Sequence, residues 1–205
     1  NTQPVIGSLV INTTFGTNSL GAIAVINGKI IVGGRVGARF SSADGASWTQ
    51  LPALSQDRVV GYAFGNGRHV QIGSNGFTAI STDGETWQTG SLGAYEPANG
   101  TAFGQGLFVV TTVAAFDSVS FRSKIFSSPD GVAWTERYST PGGGLAVPRF
   151  GNGAFTVFSD DGTNVGRLLR STDGIAWSQQ ASLPATSSSM LEFANGLFFF
   201  GSGTG

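Results

Sequence analysis

The sequence predicts an all-β fold, a five-bladed β-propeller whose blades are four-stranded antiparallel sheets. Two repeated motifs carry this prediction. The first, Ser-x-Asp-Gly-x-x-Trp, contains all 4 tryptophans of the chain, and its Asp and Trp residues are Asp44 and Trp48, Asp83 and Trp87, Asp130 and Trp134, and Asp173 and Trp177. The second is an Asn-Gly or Gln-Gly turn, whose polar residues are Asn27, Asn66, Gln105, Asn152 and Asn195. Self-similarity at such a period is the signature of a repeat architecture.

The spacing of the motifs gives the blade length. Each Trp precedes the next turn residue by 18 positions in all 4 instances, whereas the distance from turn residue to Asp is 17, 17, 25 and 21. The basic repeat is therefore 39 residues, with 8 extra in the third copy and 4 extra in the fourth. We predict one domain, with blades at about 15–53, 54–92, 93–139, 140–182, and 183–205 together with 1–14.

The two chain ends fall in matching register. Asn1 corresponds to Phe40 of the first copy, and Gly205 corresponds to Gly37. We therefore expect the N-terminal residues 1–14 to complete the last blade and close the ring. A solenoid of β-arches is the structural alternative, but it does not require matching ends.

Each copy contains four short apolar segments, as the second copy illustrates. They are Val59–Phe64, His69–Ile72, Phe77–Ile80 and Thr86–Thr89. Asn-Gly between two apolar runs favours a tight β-hairpin because both residues tolerate positive φ. Four antiparallel strands in each repeat are typical of a propeller blade.

Composition excludes several classes of function. Charged residues make up 11% of the chain and the net charge is −1, so there is no basic field for nucleic acid. No apolar run reaches the roughly 18 residues of a membrane span. There is no cysteine, which excludes disulfides and thiolate metal sites. The low charge and the start at Asn1 favour an extracellular or cell-surface protein, trimmed or excised from a longer chain.

The Asp-containing motif is interpreted as structural. Its Ser and Asp oxygens can accept backbone N–H groups of a tight turn, and its Trp can lie between neighbouring sheets. Four regularly spaced aspartates also suggest calcium, but each turn offers one carboxylate and calcium takes six or more oxygens. We expect no metal and no other cofactor.

These turns resemble the Asp boxes of the sialidase-type (BNR-like) β-propellers, and the resemblance covers nearly the whole chain. In the common form a further residue separates Asp from Gly, whereas Asp44-Gly45 and its copies are adjacent. The resemblance implies a propeller with the motif turns at the rim, away from the ligand face. It implies no single activity, because this repeat serves hydrolases, receptors and assembly factors.

The predicted innermost strands carry little catalytic chemistry. They contain one acid, Glu192, and one base, Arg149, which we expect to form an ion pair near the central channel. A sialidase needs an arginine cluster with a Tyr–Glu pair, and other glycosidases need two facing carboxylates. The single histidine, His69, is expected at the surface. The sequence therefore favours a protein that is not an enzyme.

Binding residues are expected where the repeat varies in length. Both insertions fall between the second and third strands, in Thr111–Lys124 and Phe158–Arg167, on the face that also carries the links between blades. Binding residues are often placed on such loops, although the two insertions could simply be long hairpins that pair with each other. The candidate ligand-binding residues are Asp57, Arg58, Tyr95, Glu96, Phe116, Asp117, Tyr138, Asp160 and Asp161.

The favoured function is a non-catalytic extracellular binding module with a glycan or protein ligand. Two alternatives stay open: a sialidase-type glycoside hydrolase, suggested by the Asp boxes, and a structural subunit of a surface assembly, suggested by the low charge. The oligomeric state is left open.

Overall fold

The computed structural model describes residues 19–93, 96–113, 115–116, 121–160, 165–184 and 190–201. Within these ranges every regular element is a β-strand, except for a single 3-10 turn at Arg35–Gly37. The strands form five antiparallel sheets that follow one another along the chain and are numbered here as blades 1 to 5.

Blades 1 and 2 are four-stranded sheets with neighbouring strands in chain order. Blade 1 contains β1 (Leu20–Ile26), β2 (Lys29–Gly34), β3 (Arg39–Ser42) and β4 (Thr49–Leu51). Blade 2 contains β5 (Val59–Gly65), β6 (Arg68–Gly73), β7 (Phe77–Ser81) and β8 (Gln88–Ser91). The last strand of blade 2 begins two residues later than predicted, because the Thr86 N–H donates to Asp83 and so belongs to the preceding turn.

Blades 3 and 4 each contain a fifth, two-residue strand. Blade 3 contains β9 (Ala98–Gly104), β10 (Leu107–Thr112), β11 (Ala115–Phe116), β12 (Phe121–Ser128) and β13 (Thr135–Pro141). Blade 4 contains β14 (Gly144–Leu145), β15 (Arg149–Gly151), β16 (Ala154–Asp160), β17 (Val165–Ser171) and β18 (Ser178–Pro184). In blade 5 the described strands are β19 (Met190–Ala194) and β20 (Leu197–Gly201).

The innermost strands pack in succession, β1 against β5, β5 against β9, β9 against β15 and β15 against β19. This arrangement is that of a five-bladed β-propeller, as the motif spacing predicts. The strands expected to complete blade 5 and close the ring are in residues 1–14, which lie outside the described residues.

The Asn-Gly and Gln-Gly turns join the first and second strands of every blade. Their polar residues have φ between 48° and 50°, and the following glycines have φ between 70° and 77°. Two successive positive φ values define the type I′ hairpin that this dipeptide favours. The amide side chains also link neighbouring blades: Asn66 donates to Gly106 O at 2.9 Å, Gln105 to Gly153 O at 3.3 Å and Asn152 to Gly196 O at 2.7 Å. These bonds join the hairpin turns of neighbouring blades to one another.

A glycine in the first strand of one blade receives a phenylalanine from the next blade. A Cβ atom on Gly65 would lie 2.2 Å from the Phe103 ring, and one on Gly104 would lie 2.2 Å from the Phe150 ring. Such a separation is far below van der Waals contact, so only glycine permits the approach. Gly151 and Phe193 repeat the arrangement at 2.5 Å. The sheets are thus held at a close distance near the central channel.

Two clusters of buried side chains fill the boundaries farther out. The boundary between blades 2 and 3 contains Val70, Ile72, Phe108, Val110 and their neighbours, with Trp134 packed against them. The boundary between blades 3 and 4 contains Val109, Ile125, Phe155, Val157 and their neighbours, with Trp177 packed against them. Each of these tryptophans therefore packs against the core at the boundary between its own blade and the preceding one.

The prediction that His69 lies at the surface is wrong. Its side chain is buried, and its ring centroid lies 4.4 Å from that of Phe64. The counterparts of His69 in blades 3 and 4, Phe108 and Phe155, stack in the same way on the phenylalanine of their own first strand. His69 therefore occupies a core position of the repeat, and burial lowers its pKa.

Candidate functional site

We call the end of the propeller that carries the links between blades and the connections between second and third strands the loop face. The insertion in blade 3 is a hairpin in which Phe116 pairs with Phe121. The insertion in blade 4 extends the β16–β17 hairpin as far as the pair Asp160 and Gly166. Both contact the link between the blades, because Gly144 is bridged by Val113 and paired with Asp160. The insertions are thus joined through β14.

Exposed apolar side chains also occur on this face. Phe121, at the outer end of the described blade 3 hairpin, is 59% exposed, and Val113 in the same connection is also exposed. Val36 in blade 1 lies in the corresponding connection, is 61% exposed and has φ of 54°. A β-branched residue in the left-handed region is a backbone outlier, and such strain concentrates at functional sites.

Two of the predicted ligand residues, Asp57 and Arg58, lie in the link between blades 1 and 2 and make hydrogen bonds to the β6–β7 connection. Asp57 accepts a hydrogen bond from the Asn75 amide at 2.8 Å, which ties the link to the β6–β7 connection. The Arg58 carbonyl accepts the Ser74 N–H at 2.8 Å, while the Arg58 side chain is exposed on the loop face.

Glu96 and Tyr138 lie inside the fold. Glu96 is buried and accepts a hydrogen bond from Lys124 Nζ at 2.6 Å, and Lys124 also lies 3.7 Å from Glu136. Tyr138 is half-buried against the core cluster of blades 3 and 4. Tyr95, Asp117 and Asp161 lie outside the described residues, and for Phe116 and Asp160 the structure describes only the strand.

The mouth of the central channel also opens on the loop face. A cavity of about 200 Å³ is bounded there by the first strands of blades 1 to 4, including Tyr62, Thr101 and Arg149. The Thr101 hydroxyl is buried and has no hydrogen-bond partner among the described residues, and the buried Tyr62 hydroxyl lies beside Arg39. Neither residue belongs to a repeated motif. The residue at the same repeat position in blade 1, Ile23, is apolar. The change to a hydroxyl-bearing residue in blades 2 and 3 is the sequence signal that could have identified Tyr62 and Thr101.

Arg149 and Glu192 form the ion pair expected at the channel. Arg149 Nε donates to Glu192 Oε2 at 3.0 Å, and Nη2 lies 2.5 Å from Oε1. This bidentate hydrogen bonding from Arg149 lowers the pKa of Glu192. Glu192 is the only carboxylate on the described first strands, so no second acid faces it there.

The four motif turns share one hydrogen-bond pattern. In blade 2, Ser81 Oγ accepts the Gly84 N–H at 2.7 Å, and Asp83 Oδ1 accepts the N–H groups of Glu85 and Thr86 at 2.9 and 2.8 Å. These bonds, first that from Glu85, lower the pKa of Asp83 to about 2. The equivalent backbone N–H groups, two and three residues after the Asp, lower the pKa of Asp44, Asp130 and Asp173. One oxygen of each carboxylate thus serves its own turn.

The described residues contain neither a metal-binding cluster nor a membrane-spanning helix. No group of three or more His, Cys, Asp or Glu side chains is arranged to hold a metal ion within the ranges that the structure describes. No helix in those ranges has the length and apolar character needed to cross a membrane.

The fold and the site define a β-propeller with a loop-rich face, and solved structures support this class. YCF48 from Cyanidioschyzon merolae has a TM-score of 0.64 at 15% identity, over 87% of this chain and 61% of that one. YCF48 bound to D1 peptide has a TM-score of 0.67 at 16% identity, over 90% and 62%. The chain therefore spans about three-fifths of the length of these proteins.

Two further propellers are similar. A chain of the nidogen/laminin complex has a TM-score of 0.65 at 12% identity, over 90% of this chain and 72% of that one. The GH74 enzyme of Niastella koreensis has a TM-score of 0.61 at 16% identity, over 85% and 26%. At these identities the likeness shows the fold. The sequence matches no family model and no curated protein.

Proposed function

We propose that this propeller is a non-catalytic binding module whose loop face recognises a protein or glycan ligand outside the cell or at its surface. The observation that carries the proposal is the exposure of Phe121 and Val113 on the long blade 3 connection. Exposed apolar groups that project from a rigid scaffold are typical of interaction sites. A propeller scaffold in YCF48 binds a peptide, which supports the same use of this fold.

The residues at the channel mouth support the hydrolase alternative less well than they support a binding module. Its one described carboxylate, Glu192, is held by Arg149, whereas glycoside hydrolysis ordinarily uses two carboxylates that face each other. The likeness to the GH74 enzyme keeps this alternative under test. A panel of fluorogenic glycosides separates the two functions, because a binding module releases no fluorophore.

The proposal is tested with a glycan array and a panel of purified extracellular proteins. Two variants are compared with the wild type: Phe121→Ser, and a chain in which the blade 3 insertion is replaced by the short β6–β7 connection of blade 2. Val132→Ser is the matched control, because Val132 is similarly exposed but lies in a motif turn on the opposite face.

We expect both loop variants to lose at least about tenfold in affinity for any ligand found, since the buried core of an interface carries most of its energy. The Val132→Ser protein should bind as the wild type does. Unchanged binding by both loop variants would contradict the proposal. Glycoside hydrolysis without binding in either panel would favour the enzyme, and a large native assembly on sizing would favour the structural subunit.

A further inference from the structure

A second site is indicated by Arg39, which begins the third strand of blade 1. The residue is 3% exposed, so its guanidinium is withdrawn from water. Nη1 donates to Pro52 O at 3.3 Å, and the buried guanidinium also interacts with the Tyr62 hydroxyl of blade 2. The guanidinium carbon lies 4.9 Å from the centre of the Trp87 ring of blade 2. Arg39 therefore lies in the boundary between the first two blades.

Every neighbour found for this cation is neutral. The Pro52 carbonyl and the Trp87 ring carry no net charge, and none of the ion pairs among the described residues involves Arg39. Tyr62 is the remaining polar neighbour, and burial raises the pKa of its hydroxyl, so it stays protonated at neutral pH. A buried charge without a counter-ion is strongly unfavourable in a folded protein.

The repeat shows that the fold does not require arginine here. Counted from the motif serine, the counterparts of Arg39 are Thr78, Ile125 and Leu168 in blades 2 to 4. Thr78 and Ile125 are fully buried, and Ile125 belongs to the core cluster that fills its boundary. Arg39 is thus a departure from the repeat that makes the blade 1–2 boundary less favourable as a core.

The same boundary contains a cavity of about 250 Å³. Its walls combine an apolar surface with cationic groups, formed by Ile26, Ile31, Leu51, Trp87, Lys29 and Arg39. Two acids, Asp83 and Glu85, also border it and, like Lys29, are exposed and screened by solvent, so Arg39 is the buried charge among the described residues of the lining. The cavity therefore suits an anion that carries an apolar body.

We propose that this groove binds a small aromatic carboxylate. Arginine matches a carboxylate with two parallel N–H donors, and Arg39 lines the cavity while its own partners, Pro52 O and the Tyr62 hydroxyl, carry no charge. The carboxylate supplies the missing counter-charge, and the ring packs among Ile31, Leu51 and Trp87. This site is separate from the loop face and does not depend on the function proposed there.

The test compares acids with their neutral amides on the intact protein. The probes are phenylacetate and 1-naphthylacetate against phenylacetamide and 1-naphthylacetamide, followed through the indole N–H signals of the tryptophans by NMR and by calorimetry. We expect at least one acid to bind at least about tenfold more tightly than its amide, with the Trp87 signal shifted. If neither acid exceeds its amide, the proposal is overturned without recourse to a variant.

The Arg39→Ile variant, which places the blade 3 residue in blade 1, separates binding from structure. We expect it to abolish the preference for the acid while its melting temperature stays equal to or above that of the wild type. Arg35→Gln, which removes an exposed arginine of the same blade, should bind as the wild type does. Retention of the acid preference by Arg39→Ile would refute the role of this arginine.

Discussion

Replacing Gly104 by alanine tests whether the Phe–Gly contacts set the distance between blades. The new methyl carbon would lie 2.2, 2.4 and 2.5 Å from three atoms of the Phe150 ring. That ring cannot easily retreat, since it packs on Phe155 at a centroid distance of 4.9 Å and on the core cluster beyond. Overpacking of this kind costs about 1–3 kcal/mol of the free energy of unfolding. Urea denaturation monitored by tryptophan fluorescence measures the loss.

A second substitution shows whether the loss comes from this contact. Phe150→Val removes the ring atoms that the methyl group meets, so the double variant should be at least about 1 kcal/mol more stable than the two single effects predict. Gly144→Ala is the control, because none of the residues that the structure describes has an atom within 4 Å of the added carbon. The reasoning fails if Gly104→Ala is as stable as this control, or if the effects of Gly104→Ala and Phe150→Val simply add.

Two further predictions concern the motif turns and the closure of the ring. The pKa of Asp83 falls from its ordinary value of 3.8 to about 2 on folding, so its ionised form stabilises the protein above pH 4 and this contribution is lost as the pH falls toward 2. Asp83→Asn, which does not titrate, should therefore show a flatter melting temperature across this range, and an unchanged slope would contradict the argument. Deletion of residues 1–14 should leave strand edges of blade 5 unpaired and cause aggregation, whereas a truncated chain that stays monomeric and equally heat-stable on size-exclusion chromatography and calorimetry would rule out closure by this segment.

The features that the sequence predicts correctly are those that local chemistry determines. Asn66-Gly67 requires two positive φ values, and the Ser81 and Asp83 side chains bond within their own turn, so the motifs locate these elements without tertiary information. The hairpin positions and the Arg149–Glu192 pair therefore follow from the sequence, whereas the fifth, two-residue strands of blades 3 and 4 do not.

The features that motif spacing does not determine depend on which face of a sheet a residue occupies. Glu96 and Tyr138 have the polar and aromatic character of ligand residues, but the structure packs both inward. Conversely, Arg39 has the character of a surface residue, and its burial depends on the register of β3 and on the approach of Trp87 from the next blade. Motif spacing locates a residue along the strand, but it does not show which neighbour covers its side chain.

A comparison among the repeats adds the missing information, because each blade serves as a control for the others. The Phe–Gly contacts recur at three boundaries, which shows that packing alone accounts for them. At the boundary of blades 1 and 2 the corresponding glycine position holds Ile26, and the outer core position holds Arg39 where the other blades have Thr78, Ile125 or Leu168. Both departures line the same cavity. Residues that differ from well-packed counterparts and meet at one cavity are better explained by a ligand than by the fold, since the fold is already satisfied by the residues they replace.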